Sequence, residues 1–160
     1  MAVDFFLQMD PIKGESNDTK HKDQIDVLSW SWGASQTGTF GSGSGGGAGK
    51  VSFQNLHFTH YVDRASADLM QACATGQHID KAILTVRKAG GKDALEYLKI
   101  TMEDVIVTSV QPGGSTGDER IVESVSLDFR KFNEEYTVQT DKGGSGATSH
   151  FAWDIAANHE

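Results

Sequence analysis

Apolar and polar residues alternate at period two through most of this 160-residue chain. That alternation restricts it to folds made of half-buried strands. In IVESVSLDFRKF (121–132), Ile121, Val125, Leu127 and Phe129 share one face, while Ser124, Ser126, Asp128 and Arg130 share the other. Val3, Phe5, Leu7 and Met9 line one side of a first strand. IDVLSWSWG (25–33) places Leu28, Trp30 and Trp32 on a core face, with Ser29, Ser31 and Gly33 opposite. Residues 51–61 read as a strand whose alternation slips near Asn55, as a bulge would make it. DKAILTVRKA and ALEYLKITM flank the hairpin turn GGKD, and DVIVTSV continues the second of them. A Pro-Gly-Gly loop spans 112–119, and Phe151, Trp153 and Ile155 alternate in a last strand. One segment, DRASADLMQACATG (63–76), has helical spacing instead. Ser66 is its expected N-cap, Asp68 suits the first turn, Leu69, Met70 and Cys73 form the apolar stripe, and Gly76 is the stop. The reading is a mainly β fold, a sandwich or barrel of seven or eight strands with one helix.

Length suits one domain over residues 1–160. Eighteen glycines against two prolines suit many turns. A net charge of −8 argues against nucleic acid or an anionic membrane as partner. Apolar runs are too short to span a bilayer. MAVDFFLQMD lacks the basic region and cleavage site of a signal peptide, so the expectation is synthesis and folding in the cytoplasm. The single cysteine, Cys73, permits no internal disulfide and reads as a core thiol.

The glycine run GSGSGGGAGK (41–50) raises the question of a phosphate loop. In the Walker spacing its first glycine would fall on Ser44 and its hydroxyl residue on Val51, so both positions fail. A β-rich segment follows where a nucleotide loop must open a helix. The expectation is therefore a long flexible connection between two strands, of the kind that serves as a binding element or is disordered. His57 and His60 make H-x-x-H, but three residues apart on a strand they face opposite sides. His21, His78, His150 and His159 are scattered, so no metal site is expected. Glu134 and Glu135 face apart and cannot pair as acid and base, and no G-x-S-x-G elbow occurs. The run KHKD reads as solvated loop. Catalytic, cofactor and metal residues are thus expected to be none.

The ordered motifs MAVDFFLQ, IKGES, IDVLSWSWG, GGGAGKV, FTHYVD, LMQAC, LTVRKAGG, EYLKITMEDVIVTSV and FAWDI resemble the Hcp (haemolysin-coregulated protein) family across residues 1 to about 157. These are inner-tube proteins of the bacterial type VI secretion system. The resemblance implies a two-sheet β-barrel with one flanking helix, similar to phage tail-tube subunits. It implies a homohexameric ring that stacks into a tube inside a contractile sheath, capped by a spike protein and carrying small effectors in its pore. It also implies secretion without a signal peptide. In that frame Ser29 and Ser31, with Ser124, Ser126, Asp128 and Arg130, are the expected pore-lining and cargo-contact residues. Gly41, Gly43, Gly45, Gly46, Gly47, Gly49 and Lys50 form the expected assembly loop. No toxin domain is expected beyond the last strand. A phage-type tail-tube subunit and a free β-sandwich binding module are the competing readings.

Overall fold

The computed structural model describes residues 3–38, 40–41, 49–88, 94–140 and 145–160. Its strands are β1 (Val3–Gln8), β2 (Ile25–Val27), β3 (Ser29–Ser31), β4 (Ala34–Ser35), β5 (Ser52–Phe53), β6 (Leu56–Tyr61), β7 (His78–Lys88), β8 (Glu96–Gly113), β9 (Val122–Gln139) and β10 (Ser145–Asp154). One helix, α1 (Ala65–Thr75), lies between β6 and β7. Eight strands form one sheet in the order β2-β1-β7-β8-β9-β6-β3, with β10 also paired to β9. β4 and β5 form a separate two-stranded ribbon. The mainly β barrel with one helix is the fold the sequence implied.

The two ends of the large sheet are consecutive in the chain. β2 pairs antiparallel with β1, and β3, two residues later, pairs with β6. The link is Leu28, whose N–H donates to the Thr59 carbonyl at 2.8 Å. A strand that changes partners here brings the two ends of the sheet together and nearly closes it, while β2 and β3 each keep one unpaired edge among the described residues. It also breaks the expected alternation. Ile25 and Val27 are buried, Leu28 is 41% exposed, and Trp30 and Trp32 turn back to pack, half-buried, against the core.

β8 and β9 run side by side for most of their eighteen residues each. Their shared core rows include Val107 with Leu127, Val105 with Phe129, and Met102 with Phe132. Between the last two rows the buried parity slips on both strands, at Asp104 and Arg130. Asp104 has a left-handed φ of 53°. A register shift between Val107 and Ser109 marks a bulge that turns Ser109 outward. Around these rows Leu7, Met9, Ile25, Leu56, Phe58, Leu84 and Ile100 complete a closed apolar core. Ile121, expected in it, is 49% exposed, because β9 starts only at Val122. Two other boundaries also move: β8 continues through Pro112 to Gly113, and β10 ends at Asp154, before Ile155.

α1 packs on β8 through Ala65, Leu69 and Ala72. Leu69 fits the expected stripe and Cys73 borders it half-buried, but Met70 is 45% exposed. The cap is also different from expectation. Asp63 accepts the Ala65 N–H at 2.8 Å, and Ser66 sits inside the first turn, where its hydroxyl accepts the Asp63 N–H at 3.1 Å. Gly76 ends the helix in the left-handed conformation, φ 66°, as read from the sequence.

The connection between β1 and β2 is a strap laid back on the sheet. Gly14 lies so close to β2 that a Cβ there would stand 2.5 Å from the Gln24 carbonyl oxygen. Asp18 receives both terminal nitrogens of Arg87, at 3.0 and 2.6 Å. His21 does not belong to a solvated charge run. It is buried, stacked on Phe6 at 4.4 Å, with Nε2 2.5 Å from Glu96 Oε1. The Arg87 hydrogen bonds hold the Asp18 carboxyl down at about 2. A depressed carboxyl contributes stability that is complete above its ordinary value of 3.8 and disappears as the pH falls through about 2. Asp18→Asn is therefore expected to cost about 1 kcal/mol at neutral pH. Thermal unfolding should show the gap between wild type and variant closing across this acid window.

Candidate functional site

The outer side of β3, β6, β9 and the end of β8 is one polar face built by cross-strand register. Ser31, His57, Ser126 and Ser109 lie in one row, and Ser29, Thr59, Ser124 and Gln111 in the next. These eight positions hold no lysine, arginine, aspartate or glutamate, in a chain that is 22% charged. The opposite faces of the same strands carry Leu56, Phe58, Val125 and Leu127, all buried. Alternation along β3, β6 and β9 therefore turns their hydroxyls to the other side, and the bulge at Thr108 brings Ser109 to it.

Part of the face is pinned. Ser29 Oγ lies 2.6 Å from Thr59 Oγ1, and His57 Nδ1 lies 2.6 Å from Ser126 Oγ. Thr108, in the bulge, donates its hydroxyl to the Ser126 carbonyl at 3.1 Å and accepts from Asn55 Nδ2 at 3.1 Å. Ser31 and Ser124 make no side-chain hydrogen bond to another described residue, so their hydroxyls stay available to an outside partner. Ser29, Trp30, Ser31, His57, Thr59, Ser124 and Ser126 are among the residues that line a shallow trough of about 320 Å³.

The expected cargo residues thus divide. Ser29, Ser31, Ser124 and Ser126 come together, although Ser126 is only 8% exposed. Asp128 is exposed farther along β9, opposite Ile106. Arg130 lies past the trough, 3.6 Å from Asp154 and 3.9 Å from Asp104. Sequence reasoning missed His57 and Thr59 as members of the face, along with Ser109 and Gln111. Of the assembly loop, Gly41, Gly49 and Lys50 are exposed, whereas Gly43, Gly45, Gly46 and Gly47 fall outside the described residues. The β4–β5 ribbon pairs Ala34 with Phe53 and Ser35 with Ser52 at the base of that loop.

No group of three or more histidine, cysteine or acidic residues among those described is placed to hold a metal ion. His57 faces outward and His60 is fully buried, so H-x-x-H is split across the sheet as its spacing required.

The profile of the family described as "Type VI secretion system effector, Hcp" matches residues 6–136. The chain is 47% identical over 159 residues to Protein hcp1 of Pseudomonas aeruginosa, covering 99% of this chain and 98% of that one. The chain belongs to the Hcp family. The crystal structure of Hcp1 from Salmonella typhimurium is 48% identical, with a TM-score of 0.83 over 99% of both chains. A structure described as a type six secretion system protein reaches a TM-score of 0.93 at 31% identity over 98% of both. Hcp membership assigns the chain to the secreted structural components of type VI secretion and not to an enzyme family.

The two faces of β3 in this Hcp chain are expected to respond differently to mutation. Ser31→Gln adds bulk to an exposed position and should change stability by less than about 0.5 kcal/mol. Trp30 packs edge-on against Phe5, at 6.4 Å and 85°. Trp30→Ala removes that half-buried ring and should cost about 2–4 kcal/mol. Denaturant unfolding of both variants checks the assignment of faces.

Proposed function

We propose that the chain forms the ring subunit of the type VI inner tube, with its uncharged face turned to the pore and in contact with cargo. The observation that carries this reading is the pair of Ser/Thr/His rows. Each row begins on β3 and ends on residues 109–111 of β8. Among the described residues β3 pairs only with β6, and β8 beyond Ile106 pairs only with β9. Both rows thus end at open strand edges. Copies joined edge to edge by a heterologous contact would continue the rows from subunit to subunit, and such a contact generates a closed ring when its rotation closes. A pore faced with short hydroxyls stays wet and offers hydrogen bonds without fixed charge.

Six copies make the ring in this reading. The glycine segment 41–49, which connects the two strands of the β4–β5 ribbon, makes the contact to a neighbouring subunit or to the next ring. Glycine, having no Cβ, suits a segment that must approach a neighbouring backbone closely. The stacked tube lies within the contractile sheath under the spike protein and leaves the cell carrying small effectors.

Light scattering of the purified protein should give six times the chain mass, and electron micrographs should show open-centred rings. A stable monomer at micromolar concentration would contradict the ring. Ser31→Gln should keep the hexamer but lower the amount of a pore-held effector that co-purifies with it. Shortening the loop at 41–49 should leave ring mass unchanged and reduce stacking into tubes and secretion.

A further inference from the structure

Directly beside the polar face, on its inner side, is a charged cluster that the tube reading does not use. His60 follows Thr59 on β6, and its ring is fully buried. Nε2 lies 2.8 Å from Glu123 Oε1 on β9, and Glu123 is itself 2% exposed. Nδ1 lies 3.8 Å from Asp63 Oδ2 and makes no hydrogen bond to a described residue. Asp63 uses its other carboxyl oxygen to cap α1. One imidazole therefore stands between two carboxylates where β6, β9 and the helix start converge.

Burial sets the charge logic. A carboxylate removed from water needs a countercharge or it is strongly destabilised. The charged groups facing His60 are Asp63 from the helix start and Glu123 from β9. Arg64 does not supply the missing cation, because it is turned to the Gly14 carbonyl at 2.7 Å and to Asp23 at 3.1 Å. Arg120 lies over the Tyr61 ring at 3.8 Å, and Glu123's partner on β8 is Pro112. Asp26, on β2, adds another negative charge beyond Asp63. Among the described residues, His60 is the cation available to this cluster.

We propose that His60 is a proton-held latch, whose imidazolium fastens β6, β9 and the start of α1 together and whose deprotonation in alkaline medium loosens all three. Thr59 and Ser124, immediately adjacent to His60 and Glu123 on the same two strands, would then lose their fixed spacing in the outer face. The latch stands on this geometry alone; only its consequence for a pore wall rests on the tube reading.

The direction of the pH effect follows from the surroundings. Burial disfavours the charged ring, but the contacts with Asp63 and Glu123 outweigh it and hold His60 above the ordinary imidazole value of 6.5. A raised value contributes stability that is complete below 6.5 and disappears as the pH climbs through the folded-state value.

The test reads the site itself in the assembled protein. Exchange of the His60 ring C2–H, followed by mass spectrometry from about pH 6 to about pH 10, gives its titration midpoint, to be compared with an ordinary imidazole. The expected midpoint lies above the ordinary value and falls by at least about one unit in Glu123→Gln. Thermal unfolding should weaken over the same alkaline window in wild type and stay flat in His60→Gln. Amide exchange of residues 63–69 and 122–126 should rise in that window in wild type. A wild-type His60 already neutral at pH 7, or equal alkaline losses in wild type and His60→Gln, overturns the latch. If His60→Gln fails to fold, the wild-type midpoint and its shift in Glu123→Gln decide alone. The tube reading fails separately, by a monomeric mass, whatever the titration shows.

Discussion

The pairing of β9 along both its edges holds the molecule together. One edge carries β8 along nearly its whole length, and the other is shared by β6 on its first half and β10 on its second. Side chains alternate, so this one strand supplies Val125, Leu127 and Phe129 to the core and Ser124 and Ser126 to the outer face. A one-residue slip against β6 or β8 would exchange those sets and bury the hydroxyls. The register of β9 thus fixes the core and the polar face together.

Where the chain must leave strict alternation it uses identifiable devices. The bulge at Thr108 turns Ser109 and Gln111 to the outer face, and Thr108 binds across to Asn55 and Ser126. The double slip at Asp104 and Arg130 lets the far halves of β8 and β9 present Met102 and Phe132 to the core. Buried and part-buried polar contacts gather where connections return to the sheet. Arg87 with Asp18 and His21 with Glu96 secure the strap, and His60 with Glu123 stands at the helix start.

Most of the strand framework was legible, because stretches of apolar–polar alternation such as residues 121–129 mark the strands in the sequence itself, even where burial later departs from strict period two. What was not legible depends on long-range partners. Leu28 looks like a core residue until the strand is seen to exchange β1 for β6 at that position. Leu69 and Met70 both stand at helical spacing from Cys73, but only the position of β8 decides which of the two is covered. His21 sits in a run of lysines, and nothing local reveals Phe6 and Glu96 as its partners. The serines of β3 and β9 were readable as two outward faces. Their union with His57 and Thr59 needs the β6 register, and Ser109 joins them only through the bulge. The family came from ordered motifs, which local periodicity could not have named.

The outer rows lack fixed ions, and that sets how such a surface grips. Attraction between exposed charges fades as dissolved salt shortens its range to about 8 Å in physiological medium. Hydroxyl contacts at 2.6–3.1 Å act well inside that distance. A chain with a net charge of −8 therefore keeps one face whose own hydrogen bonds depend little on ionic strength.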